Sequence, residues 1–195
     1  MKNLFTSIIL LCFISACASN PSDKKNKKTV VTKMSLVNEI KLLNDSLIGL
    51  YSLPASILRS YDVEDVVKYK TNLSVARIAL INLNLEFYRR FPSDSLAAFC
   101  LADVQQLYDD SGAYDKALSY GDTIAEHYPD FSNLVLILEK NAAILDFNIE
   151  VRDTAAIRKA YERLLESPHI TEQMASTYKE RMSSLHMDLR DLFNQ

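Results

Sequence analysis

The chain has 195 residues, with only three glycines, five prolines and three cysteines, and a formal net charge of −3. Scarce turn residues and few candidates for positive φ favour helices over a sheet with many tight turns. The charge is divided. Residues 18–33 hold five lysines against Asp23, net +4, and residues 34–195 hold 16 Lys and Arg against 24 Asp and Glu, net −8. A body this acidic would be repelled by phosphate backbones, which argues against a nucleic-acid partner.

The chain opens with Lys2, an apolar run from Leu4 to Ile14, and small residues before Cys17. The run is about half of the ~20 residues needed to cross a bilayer, so residues 1–16 read as a secretory signal peptide. Ile14-Ser15-Ala16-Cys17 resembles the lipobox of bacterial lipoproteins. That resemblance implies cleavage before Cys17, a diacylglycerol thioether on its sulfur and an acylated amine, hence a lipid-anchored protein of the cell envelope. Ala18 follows the cysteine where an acidic residue would be the retention signal. By analogy with lipoprotein sorting, this favours the outer membrane and its periplasmic face. Residues 17–33 then form a basic tether. Its sixteen residues after the cysteine span about 20–24 Å if flexible, and each lysine near an anionic surface adds about 1 kcal/mol of attraction.

The folded body is expected over 34–195. Leu36, Ile40, Leu43, Leu47 and Leu50 recur at helical spacing and predict a first helix with one apolar stripe. Residues 51–62 are poorly legible, with Pro54 at a turn or first helical position and Ile57, Leu58 and Tyr61 in a short helix. Asp62 can cap a helix beginning Val63-Glu64-Asp65. Asn72 to Phe91 reads as a long helix stopped by Pro92, which disfavours helical geometry at residue 91. A helix over Leu96–Ser111 follows, with Cys100 on its apolar side as a small buried hydrophobe. After Asp153, a helix carries Ala156 and Ala160 and ends before Pro168. Thr171 caps a last helix, expected to reach Phe193, with Met174, Tyr178, Met182, Leu185 and Leu189 in one stripe and charged residues opposite.

A repeat underlies this order. Phe91-Pro92-Ser93-Asp94 and Tyr128-Pro129-Asp130 echo each other, the prolines lie 37 residues apart, and Pro168 follows another 39 on. Such a period signals stacked helical hairpins. In the middle unit, Gly112 at the turn, Tyr114, Ala117, Tyr120 and the closing Pro129 resemble the second half of a tetratricopeptide repeat (TPR). The resemblance implies a right-handed all-α solenoid, with units at 93–129 and 130–168 and a capping helix at 171–193. Two positions depart from the pattern. Gln105 stands where a small residue is expected, and Gly121 stands where a large one is usual. The longer units and aromatic-Pro-Asp/Ser junctions resemble envelope TPR lipoproteins of the BamD-like, barrel-assembly type. In this family first helices line a concave groove, so Phe99, Gln106, Asp109 and Asp110 are its expected lining.

No catalytic or metal-binding signature is present in the sequence, and no cofactor is expected. His127, His169 and His186 are scattered, without zinc-ligand spacing. Asp109 and Asp110 are adjacent on a helix and point about 100° apart, which is unsuited to acid–base cooperation. The ten tyrosines fall mostly at helix-packing positions. The sequence thus favours a lipid-anchored interaction scaffold for an envelope protein or peptide, and the resemblance to BamD-like lipoproteins implies a task in outer-membrane or envelope assembly. The competing reading is an enzyme, or an accessory binding protein, for an envelope polymer or small ligand. It requires convergent polar groups in a pocket, which the sequence does not display.

Overall fold

The computed structural model describes residues 32–187; Cys17, the signal peptide, most of the tether and Leu189 to Phe193 lie outside these. The described chain is all-helical, with eight α-helices and one π-helical turn and no strand. None of its helices is long and apolar enough to cross a membrane.

Helix α1 (Lys33–Tyr51) starts where the Thr32 hydroxyl accepts the Ser35 N–H. The stripe expected on it turns inward: Leu36 and Leu47 are buried, and Ile40 and Leu43 pack beside Leu47. A short helix, α2 (Ala55–Arg59), follows Pro54. Helix α3 (Val63–Arg90) is one uninterrupted element, so the reading that opened a separate long helix at Asn72 is corrected. No proline or glycine lies between Val63 and Arg90 to break it. The Asp62 carboxylate accepts the Asp65 N–H at 2.9 Å. Glu64 and Asp65 in the first turn and Arg89 and Arg90 in the last also match the helix dipole. Phe91 leaves the helix just before Pro92, and Asp94 caps α4 (Ser95–Asp109) by accepting the Leu96 N–H at 2.9 Å.

Gly112, at φ +74°, turns the chain into α5 (Tyr114–His127). Helix α6 (Leu134–Ala143) runs into the π turn (Ile144–Asn148), and Asp153 caps α7 (Thr154–Leu165) through the N–H groups of Ala155 and Ala156. Helix α8 (Glu172–Ser183) begins at Thr171, which caps the Met174 N–H. It ends ten residues short of the expected Phe193. Ser184 takes the chain out of the helix and Leu185 is buried from the following turn. Burial of that leucine in the core outweighs continuing the stripe along a straight helix.

Neighbours in sequence are neighbours in space. Helix α1 packs on α3, α3 on α4, α4 on α5, α5 on α6, α6 on α7 and α7 on α8. Two apolar cores result. One is centred on Leu47, Leu80, Val104 and Leu107, and the other on Leu101, Ile124, Leu138, Ile157 and Leu164; Leu85 and Tyr120 touch both.

Candidate functional site

The repeat-signature residues sit at the joints between these helices. Ala117 has no exposed surface, allowing α5 to approach its neighbours closely. Tyr120 stacks on Tyr108 of α4, with ring centres 5.6 Å apart and planes 2° from parallel. Tyr114 and Tyr128 are half-buried, and Pro129 is exposed. The two unusual positions explain each other. Gln105 is fully buried, and its Nε2 donates to Asn141 Oδ1 of α6 at 2.7 Å. A β-carbon at Gly121 would lie 2.5 Å from Gln105 Nε2 and closer still to Asn141 Oδ1. The bulk of Gln105 on α4 is therefore accommodated by the bare backbone of Gly121 on α5.

The outer face of α4 carries Phe99, Asp103, Gln106 and Asp110 at spacings of four, three and four, a single stripe. Phe99 is 44% exposed and meets Phe131 edge-on at 4.9 Å. Gln106, Asp109 and Asp110 cluster about two turns further along. Gln106 Nε2 donates to Asp110 Oδ1 at 2.6 Å, Lys140 of α6 donates to Gln106 Oε1, and Lys140 Nζ lies 3.7 Å from Asp109 Oδ2. Adjacent Asp109 and Asp110 thus serve different neighbours. The expected groove residues fall into two parts: Gln106 and Asp109 meet Lys140, with Asp110 joined to them through Gln106, and Phe99 lies apart on Phe131.

Gln106 and Asp110 also border a cleft of about 160 Å³ between α1 and α4. Leu47, Leu80 and Leu107 form its apolar floor, and Ile48 and Tyr51 of α1 form one wall. Asn44 of α1 and Asp103 of α4 complete the lining. Among the described residues Asp103 accepts no hydrogen bond and joins no ion pair, and desolvation by the surrounding protein raises its carboxyl above the usual carboxylate range. Sequence reasoning missed Asp103, although its place in the Phe99–Gln106 periodicity marks it. It also missed Ile48 and Tyr51, whose approach to α4 no local pattern records.

Two other places hold clustered polar groups. A cavity of about 310 Å³ lies between α5, α6 and α7, where Arg163 bonds Asp122 at 2.6 Å and Asn141 also donates to Asp122. In the π turn, buried Asp146 accepts from Nε and Nη2 of Arg181 at 2.6 and 2.7 Å, from Arg152 at 3.0 Å and from the Tyr161 hydroxyl at 3.1 Å. Burial by itself would raise the Asp146 pKa, but the bonds from Arg181 and Arg152 outweigh it and hold the group below its ordinary value. With every partner donating to it, this carboxylate fastens α8 to the π turn and has no lone pair directed outward for chemistry. Cys100 is buried, and desolvation pushes its thiol up to about 12, which suppresses the thiolate. Among the described residues no group of three or more His, Cys, Asp or Glu is placed to hold a metal ion.

No family model, curated protein or solved structure matches this chain. The α4 face and the cleft beside it are the site on which a functional reading rests.

Proposed function

We propose that the chain is an envelope lipoprotein anchored through Cys17, whose helices stack as a TPR-like solenoid capped by α8 and serve as a protein-interaction scaffold in outer-membrane or envelope assembly. The observation that carries this reading is the α4 face. Phe99, Asp103, Gln106 and Asp110 form an exposed stripe of mixed apolar and acidic character, which the described residues leave uncovered, beside a cleft with an apolar floor. From α3 to α8 the helices pack in sequence order, each mainly on the next, which supports the solenoid, because such arrays leave one long face for an extended partner.

The test is in-cell crosslinking and affinity purification of the lipidated protein, with Cys17→Ala as control. A recurrent envelope protein that disappears with the anchor supports the reading. Enrichment of no protein in either sample overturns it.

A further inference from the structure

We infer that the α1–α4 cleft is a socket for one cationic side chain, arginine or lysine, presented by the partner protein. This rests on the scaffold reading and specifies the chemistry of the partner.

Shape and charge lead to the same occupant. The floor is aliphatic, and the wall leaves Ile48 53% and Tyr51 45% exposed, so the cleft offers apolar contact to a flexible hydrocarbon stem. Asp103 and Asp110 line the cleft with exposed side chains, seven residues and about 10 Å apart along one helix. Arginine and lysine place a hydrocarbon stem on apolar surface while keeping the charged head at a polar rim.

Among the described residues the rim carries no cation of its own: Asp103 has no bonding partner, and Asp110 accepts from a neutral amide, Gln106. Two cations that touch cleft residues are engaged elsewhere. Lys140 is bound to Gln106 and Asp109 on the α6 side, and Arg77 lies 5.4 Å above the Tyr51 ring with its Nε bonded to the Tyr51 hydroxyl. A purely apolar occupant would desolvate two carboxylates without compensation. An anion would be repelled by them. A guanidinium or ammonium at the mouth instead gains charge-assisted hydrogen bonds. The net −8 of residues 34–195 steers basic partners toward the same body.

The test uses the full lipidated chain in nanodiscs, with labelled Ile and Leu methyl groups observed by NMR. Ile48, Leu47 and Leu107 report from inside the cleft. The probes are n-butylguanidinium, free guanidinium, butyramide and butyrate. Butylguanidinium is expected to give saturable shifts confined to the cleft methyls, and free guanidinium, lacking the stem, much smaller ones. The Asp103→Asn/Asp110→Asn variant should bind about tenfold more weakly or not at all. Ile48→Arg, a change at an exposed position, should occupy the socket from within and block the probe. Absence of saturable shifts, or equal shifts with butyramide or butyrate, overturns the inference. If the probe fails while anchored crosslinking still returns a partner, the scaffold stands and the socket falls. If the probe binds and no partner is returned, the scaffold reading falls.

Discussion

Gly121→Ala tests the interlock between α4, α5 and α6. On helix propensity alone the change should stabilise the protein by about 1 kcal/mol. The structure reverses that sign, because the new methyl group would overlap the Gln105 and Asn141 amides. Those amides are buried and bonded to one another at 2.7 Å, and Gln105 Oε1 already has no partner. Overpacking costs about 1–3 kcal/mol, and separating the amides orphans buried polar groups at about 1–3 kcal/mol more. With the propensity gain subtracted, a net loss of about 3 kcal/mol is expected. Urea unfolding followed by helical circular dichroism should show a midpoint lowered by about 1 M or more. Gln105→Ala removes one of the two overlapping amides and frees Asn141, its bonding partner, to move away from the methyl. The pair should therefore be less destabilised than the sum of the single changes, with a coupling of about 1–2 kcal/mol. Stabilisation by Gly121→Ala, or strict additivity in the cycle, would refute the interlock.

Other expectations concern separate parts of the molecule. Asp146→Asn leaves Arg181 and Arg152 without their shared counter-charge and should cost about 3–5 kcal/mol at neutral pH, read by denaturant titration. Because the folded pKa of Asp146 is below its ordinary 3.8, its stabilisation is fully present above that range. It is lost as acid protonates it, so the gap between wild type and variant should close as the pH falls through the lowered pKa; a gap independent of pH would contradict the ion cluster. Gly112→Ala meets open space but must hold φ +74°, so its cost should be purely backbone, about 1–2 kcal/mol and a few degrees in thermal melting. An unchanged melting temperature would remove the strain argument. Cys100 should resist iodoacetamide at neutral pH in the native protein and react once urea unfolds it. Rapid modification of the Cys100 peptide in the native state, seen by mass spectrometry, would show that the thiol is accessible.

Much of the secondary structure was legible because its signals are local. Asp62, Asp94, Asp153 and Thr171 each offer a side-chain oxygen to an N–H two or three residues on, and Gly112 supplies the positive φ between α4 and α5. Proline, glycine and cap residues act on the backbone within one turn, so they identify themselves in sequence. The two misjudged boundaries had no such signal. The interior of α3 near Asn72 contains no breaker, and the end of α8 is decided by where Leu185 finds the core.

The composition and the periodic apolar stripes by themselves determined an all-helical body and the inward faces of its helices. The resemblance to a tetratricopeptide repeat, rather than composition or periodicity, raised Phe99, Gln106, Asp109 and Asp110 as candidates. Only the tertiary structure decided that Gln105 and Asn141, 36 residues apart, share a hydrogen bond under Gly121, and that Asp146 takes Arg181 from 35 residues away. It also placed Ile48 and Tyr51 of α1 opposite Asp103 and Asp110 of α4. The physical reason is one of range. Helix formation is governed by hydrogen bonds over four residues, and amphipathic spacing records which face is dry. Which residue of one helix meets which residue of another depends on how whole helices pack, and no window of sequence contains both partners.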